Sequence, residues 1–317
     1  MLDVVTFGET MALLSPESTG LMRYAPSFTR KFAGAETNVA IGLARLGHRS
    51  GWISRVGDDE FGKALLAFVR GEGVDVSRVR VDEEAPTGVF FKETRRPGDY
   101  RVYYYRRDSA ASRMSAADLD ESYLSEARYL YVSGITPALS DSCRDLTYRA
   151  VEAAKQCGVR VVFDPNVRKK LWPETVARRV LLELASMADI VLPGAAEGEF
   201  LFGEREPEKL GALFLAHGPS AVVVKLGSRG AYYATMHERG RVPAFPVDRV
   251  VDPIGAGDGF SAGLLSGLLD GLPLKEAVRR ANAVGAAVTM ASGDVEGLPD
   301  REDLERLTER PGEEVSR

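Results

Sequence analysis

The sequence predicts an α/β fold: a mostly parallel central sheet, covered by helices on both faces, with a small β appendage. Three observations predict it. Short apolar runs alternate with segments of helical period along most of the 317 residues. One stretch, Thr87–Arg106, interrupts that alternation with two β-rich runs back to back. The composition, 44% hydrophobic and 27% charged, supplies enough apolar surface for a folded core and excludes a disordered chain.

The elements follow in order. Asp3–Phe7 reads as a strand stopped by Gly8, and Glu36–Leu46 as a helix with Val39, Ala40, Leu43 and Leu46 on one face. Gly51–Val56 is a strand. Asp58-Asp59 then caps a helix whose buried face carries Phe61, Leu65, Leu66 and Val69. Thr87–Thr94 and Tyr100–Arg106 form a hairpin across Arg95-Arg96-Pro97-Gly98-Asp99, with Met11–Leu14 and Phe28–Phe32 as strands beside it. The alternation resumes with strands at Arg128–Val132, Val159–Asp164, Asp189–Leu192 and Ala221–Lys225. Helices at Asp141–Cys157 and Pro173–Met187 lie between them, the second with proline in its first turn. Gly230–Ala234 and Arg241–Phe245 read as a late antiparallel pair, and Gly257–Leu269, Leu274–Ala291 and Asp300–Arg310 as helices. No long linker divides the chain, so one domain over 1–317 is expected, with a β lid built from about 10–33 and 86–107.

Several function classes are disfavoured. The net charge is −5 with no basic block, which argues against nucleic-acid binding. No run of 18 apolar residues is present to span a membrane. Met1-Leu2-Asp3-Val4-Val5 lacks a basic segment before an apolar stretch and reads as the start of a strand, not a signal peptide. Cys143 and Cys157 cannot make a cysteine-rich zinc site or a disulfide framework, and a cytoplasmic location is expected. His48, His217 and His237 have no metal-ligand spacing.

The most informative segment is Asp252-Pro253-Ile254-Gly255-Ala256-Gly257-Asp258-Gly259-Phe260, after a strand-like Arg249-Val250-Val251 and before an Ala/Gly/Leu-rich helix. Gly255 and Gly257 let main-chain N–H groups close on an anion, and the helix start adds its positive end. An acid beside that spot repels phosphate. Asp258 makes sense there as the group that takes a proton from an attacking hydroxyl. The spacing alone fits equally well a glycine-rich turn with an aspartate N-cap.

Asp252–Asp258 resembles the signature of the ribokinase-like (PfkB-type) sugar kinases, usually Asp-Thr-x-Gly-Ala-Gly-Asp, with Pro253 in place of the threonine. Ala33-Gly34-Ala35-Glu36-Thr37-Asn38-Val39-Ala40 resembles the family's Gly-Gly-x-x-x-Asn-x-Ala motif, with Ala33 in place of the first glycine. Two motifs in the right order far apart in the chain are more specific than either alone. The resemblance implies a ribokinase-like three-layer sandwich and an ATP-dependent kinase. Asp258 is then the base, Gly255, Ala256 and Gly257 supply the anion hole, and Mg2+ enters with ATP. It also implies nucleotide contacts from Lys225, Gly227, Ser228 and Gly230, from Asn166 and Arg168, and from Asn282. Glu197 stands for the glutamate of the family's Asn-x-x-Glu motif, which places magnesium through water; Gly194 replaces the asparagine.

The acceptor follows from other segments. Asp164-Pro165-Asn166-Val167-Arg168-Lys169-Lys170-Leu171-Trp172 resembles kinases acting on 2-keto-3-deoxygluconate, and some fructokinases share part of it. Ser133-Gly134-Ile135-Thr136-Pro137-Ala138-Leu139-Ser140 and Tyr103-Tyr104-Tyr105-Arg106 resemble the same subgroup. Tyr104 and Arg106 are two apart on a strand and face the same way. An arginine on a lid binds a sugar carboxylate with forked, charge-assisted bonds, whereas a neutral sugar leaves it without an anionic partner. Without the resemblance, Arg106 reads as a solvent-facing residue and the tyrosines as sheet packing. Arg168 is a second cation near the cleft. The resemblance adds sugar contacts from Gly34, Ala35, Asn38, Phe90 and Asp294, with Phe90 where a tyrosine is common. The expectation is a 2-keto-3-deoxygluconate kinase, with a fructokinase or nucleoside kinase as the alternative and a sugar sensor as a third reading. Pairing of two copies through the lid is expected from its edge strands.

Overall fold

The computed structural model of the chain describes residues 2–96 and 98–309; Pro97, in the expected turn, and Arg310, at the end of the last expected helix, lie outside them. The first half of the chain forms β1 (Val4–Phe7), β2 (Met11–Pro16), β3 (Phe28–Ala33), α1 (Ala35–Arg45), β4 (Ser50–Gly57), α2 (Glu60–Gly71), β5 (Asp75–Asp82), β6 (Val89–Arg96), β7 (Asp99–Tyr105), α3 (Glu121–Ser125), β8 (Tyr129–Ser133) and α4 (Asp141–Gln156). The second half forms β9 (Arg160–Asp164), α5 (Glu174–Met187), β10 (Ile190–Val191), α6 (Ala195–Phe202), α7 (Pro207–His217), β11 (Ala221–Lys225), β12 (Ala231–Thr235), β13 (Arg239–Val242), α8 (Ala256–Leu269), α9 (Leu274–Thr289) and α10 (Arg301–Glu309).

Nine strands make one sheet in the order β13-β12-β11-β10-β9-β8-β1-β4-β5. The pairs from β5 through β11 are parallel, and β12 and β13 finish it antiparallel. Successive side chains go to opposite faces, which makes three layers. Val5, Phe7, Leu130 and Val132 share a core with Leu146, Val180 and Leu184 of α4 and α5. Their neighbours Val4, Tyr129 and Tyr131 share another with Val39, Leu43 and Leu264 of α1 and α8. The chain leaves β1 toward β4 on one side and returns through β8 toward β9 on the other. Strand order therefore reverses beside β1, and a crevice opens there at the strands' carboxyl ends.

A second sheet, ordered β3-β2-β6-β7, buries Met11, Leu13, Ala33 and Phe90 on one face. It is built from the strands and hairpin expected beside the main alternation. Helix α8 is seated by a stripe of small residues. A Cβ on Gly259 would come within 2.7 Å of Val288, on Gly263 within 2.9 Å of Ala281 and on Gly267 within 2.7 Å of Ala277. Glycine at these positions lets α8 lie close on α9, which fixes where its N-terminus points.

The structure corrects several elements. Arg249–Val251 is not a strand; Val250 and Val251 are exposed, and the Val251 N–H bonds Thr289 O. The last strand is Arg239–Val242, so Phe245 lies beyond it. Pro173 is the N-cap of α5, not part of its first turn. The sequence reading passed over β5, whose exposed Arg78 and Arg80 suit an edge strand, and α7, whose apolar face is short. Among the described residues no helix is long and apolar enough to cross a membrane.

Candidate active site

Two cavities meet at the start of α8. One, of about 340 Å³, lies against the small sheet and is bordered by Gly34, Ala35, Asn38, Phe90, Tyr104, Arg106, Asn166, Arg168, Asp258 and Asp294. The other, of about 350 Å³, is bordered by Gly227, Ser228, Gly230, Phe245, Val247, Ala256, Asn282 and Ala286. Lys225, Pro253 and Gly257 border both. Two ligands, one in each cavity, would therefore approach each other at Gly257.

The local chain explains this wall. Gly255 is the N-cap of α8, with φ +84°, a left-handed conformation that suits glycine. The first-turn N–H groups after it have no partner within the helix. A Cβ on Gly257 would meet nothing nearer than Lys225 Nζ, 3.9 Å away, so the space before those amides is open. Asp252 Oδ1 accepts the Ile254 N–H at 3.1 Å and closes a turn across Pro253, a position whose missing N–H the turn does not use.

Asp258 stands in the first turn of α8 and accepts a bond from Asn38 Nδ2 at 2.7 Å. Asn38 is oriented in turn, because its Oδ1 accepts the Gly34 N–H at 3.4 Å. Gly34 must be glycine, since a Cβ there would lie 2.5 Å from Glu9 O. Ala33 is buried on the small sheet, where a methyl group fits. Burial pushes the Asp258 carboxyl up to about 7, and Asp294 and Asp164 push the same way; the Asn38 bond and Arg168 oppose them. Burial likewise raises Asp294, to about 6, against the pull of Lys92. A carboxyl poised near neutrality, beside unpaired amides, is equipped to accept a proton while an anionic group is held next to it.

Residues 1–301 match the family model described as pfkB family carbohydrate kinase. The chain belongs to the PfkB family of carbohydrate kinases. This PfkB kinase is 47% identical to the 2-dehydro-3-deoxygluconokinase of Bacillus subtilis (strain 168), over 96% of this chain and 94% of that protein. It is 37% identical to the 2-dehydro-3-deoxygluconokinase of Thermoproteus tenax, over 97% of this chain and 94% of that protein. A crystal structure of an E. coli protein in complex with ATP and Mg2+ superposes with a TM-score of 0.91 at 29% identity, covering 98% of this chain and 100% of that one. The protein is thus a phosphotransferase acting on a sugar, with a ribokinase-like fold.

The kinase places most expected site residues on one cavity or the other. Asn166, expected toward the nucleotide, borders the cavity that holds Asp258 instead, as does Arg168, which was expected toward both the sugar and the nucleotide. Asn282 is no surface asparagine: its Nδ2 donates to Pro243 O at 2.9 Å and Val242 O at 3.3 Å, so it holds the segment after β13 against α9. Gly230, with φ +85°, admits no Cβ, which would fall 2.1 Å from Val242 O. Lys225 Nζ lies 2.6 Å from Asp164 Oδ2. Burial pulls this lysine's pKa down, but Asp164 and Glu197 outweigh burial and hold it charged. Glu197 Oε2 accepts the Gly194 N–H at 2.6 Å and Oε1 the Val167 N–H at 3.0 Å, so it caps α6 and anchors the Asn166 loop. Burial raises its pKa, with Asp164 adding and Lys225 opposing.

Arg106 departs from expectation. Arg106 does not lack an anionic partner when the sugar is neutral. Its Nε donates to Glu9 Oε2 at 2.6 Å, and a second nitrogen reaches the same oxygen. Glu9, fully buried, also accepts from Ser109 Oγ. The sequence reading missed Glu9; its only signal was its place just past the carboxyl end of β1, at the switch point. Tyr104 stacks on Phe90 at 5.6 Å between ring centres, and Arg106 lies 5.6 Å from the Tyr104 ring. Among the described residues Arg168 makes no ion pair, so its charge is the one left for an acidic ligand.

Proposed function

We propose that the chain transfers the γ-phosphoryl group of ATP to the terminal hydroxyl of 2-keto-3-deoxygluconate (2-dehydro-3-deoxygluconate), giving the 6-phosphate. The observation that carries this is Asp258 lining one cavity next to Gly257, which borders both, with open space before Gly257 at the start of α8. The sugar occupies the cavity of Asn38, Phe90, Tyr104 and Asp294, and ATP that of Ser228, Gly230 and Asn282. The name shared by the two relatives above supports the acceptor.

In this mechanism Asp258 takes the proton of the C6 hydroxyl as its oxygen attacks the γ-phosphorus. The bond from phosphorus to the β–γ bridging oxygen breaks, and ADP leaves with that electron pair. The first-turn amides of α8 and the Lys225 ammonium balance the charge of the transferring group. Among the described residues no cluster of three or more His, Cys, Asp and Glu could grip a bare metal ion. Mg2+ would arrive with ATP, held chiefly by phosphate and water, and Glu197, whose oxygens hold the Val167 and Gly194 N–H groups, would act on it only through water. When bound, Mg2+ neutralises phosphate charge. The small sheet closes on the sugar and excludes competing water.

Arg168 meets the sugar carboxylate, with the Arg106–Glu9 pair on the small-sheet side of the same cavity. The Arg106–Glu9 pair favours a second reading, because a site whose lid arginine is already neutralised also accepts a neutral sugar such as fructose. An ATP-consumption screen across 2-keto-3-deoxygluconate, fructose, ribose and nucleosides decides. Highest kcat/KM for the keto-acid is expected; highest kcat/KM for fructose overturns the acceptor. Two copies pair through the small sheet, whose β7 exposes Tyr104 and Tyr105. Sedimentation of wild type against Tyr105→Lys checks that contact.

A further inference from the structure

Lys92 belongs to no motif, yet only 6% of it is exposed. It lies two residues after Phe90 on β6, and residues two apart on a strand share a face, so both point into the body of the protein. Phe90 borders the sugar cavity; the Lys92 ammonium contacts Asp252 Oδ2 and lies 4.0 Å from Asp294 Oδ1. The Tyr100 ring centre is 5.6 Å away. A buried lysine is rare unless its charge is matched, and here two carboxylates match it.

Those carboxylates belong to two segments that build the catalytic end of α8. Asp252 opens the turn that leads to Gly255; its Oδ1 holds the Ile254 N–H and its Oδ2 the Gly293 N–H at 3.3 Å. Asp294 borders the sugar cavity, and its Oδ1 has no hydrogen-bond partner among the described residues. A Cβ on Gly255 would fall 2.8 Å from Asp294 O, so the two segments touch at the anion-hole glycine. Two more side chains of the small sheet reach the same segments: Tyr100 donates to Val251 O at 2.7 Å and Lys31 Nζ to Ser292 O at 2.6 Å.

We propose that Lys92 is a positioning residue for phosphoryl transfer: its ammonium holds the Asp252 turn against the Asp294 loop and so sets the amides of Gly255–Gly257. The inference rests on the reading of those amides as the anion hole and deepens it by naming what aligns them. Without the cation, two buried carboxylates face each other at the joint and push the segments apart. The small sheet thereby contributes to the geometry of the transferring phosphate as well as covering the sugar.

The test compares wild type with Lys92→Ala and Lys92→Met, using whichever sugar the wild type phosphorylates, so that an error in the acceptor leaves the result readable. An error in the anion-hole reading shows separately, as wild-type kcat in Gly257→Ala. Melting temperature is recorded alongside kcat and KM, with and without added ammonium or methylammonium. In both variants kcat falls about 100-fold, as misplacement by about an ångström does, while KM for ATP changes less. Ammonium restores part of the lost kcat in Lys92→Ala and none in Lys92→Met, whose side chain fills the space. Wild-type kcat in Lys92→Met overturns the proposal, as does a loss in Lys92→Ala that ammonium leaves untouched. Should the single variants fail to fold, Lys92→Met/Asp252→Asn, which buries no lone charge at that pair, is read instead. Low kcat is again expected, and wild-type kcat again overturns the proposal.

Discussion

Asn38 Nδ2 donates to Asp258 Oδ2 at 2.7 Å, joining two motifs 220 residues apart in the chain. The bond does two things. It aims the carboxylate, and it favours the charged form against the burial that pushes its pKa up to about 7.

Activity should therefore rise with pH. Only the ionised carboxylate accepts a proton, so kcat/KM for the sugar climbs through an inflection near 7 and flattens above it. Asn38→Ala removes a group that favours ionisation and moves the inflection upward. A pH–rate series on both proteins checks this; an inflection that stays in place or moves down contradicts it.

The same shift makes Asp258 a burden on stability. Its folded pKa lies above its ordinary 3.8, so from about pH 4 to 7 the folded state retains a proton that the unfolded state has lost. Stability then falls as pH rises through that window and levels off above it. Asp258→Asn keeps the bond to Asn38 and removes the buried charge. Thermal denaturation should show the variant a few degrees more stable than wild type at pH 8, with the gap closing toward pH 4. An equal gap at both pH values contradicts this.

Arg168 and Arg106 should separate. Arg168 is exposed and makes no ion pair among the described residues. Arg168→Ala should raise KM for 2-keto-3-deoxygluconate about tenfold or more, barely change KM for fructose, and leave the melting temperature alone. Arg106→Ala strands the buried Glu9 carboxylate and lowers the melting temperature by several degrees. Steady-state kinetics with both sugars and a melting curve for each variant check the pair.

Gly257→Ala tests the open space before the amides. The new methyl would meet nothing nearer than Lys225 Nζ at 3.9 Å, so the variant should fold with unchanged stability. It would stand where the transferring phosphate belongs, and kcat/KM for ATP should fall about 100-fold. Retained kcat/KM would place the phosphate elsewhere.

The fold was legible because buried parallel strands and amphipathic helices differ in hydrophobic period, and α1, α4, β8 and β9 appear where that period puts them. β5 was not, because Arg78 and Arg80 disguise an edge strand as a loop. Arg249–Val251 misled in the other direction: its valines are exposed beside the second cavity, and Val250 borders it. The two motifs located Asp258, Asn38 and the anion-hole glycines. They could not reveal Glu9 or Lys92, single residues whose roles come from partners 97 and 160 positions away, Arg106 and Asp252. Nor could they show that Arg106 arrives already paired.

The most direct measurement is ADP release by Asp258→Asn with saturating ATP and 2-keto-3-deoxygluconate, beside wild type and with binding of both ligands measured on the same samples. A wild type that forms the 6-phosphate one-for-one with ADP is expected, with a variant that still binds both ligands but turns over about a thousandfold more slowly. A variant that binds both and turns over near the wild-type rate would contradict the assignment of Asp258 as the base.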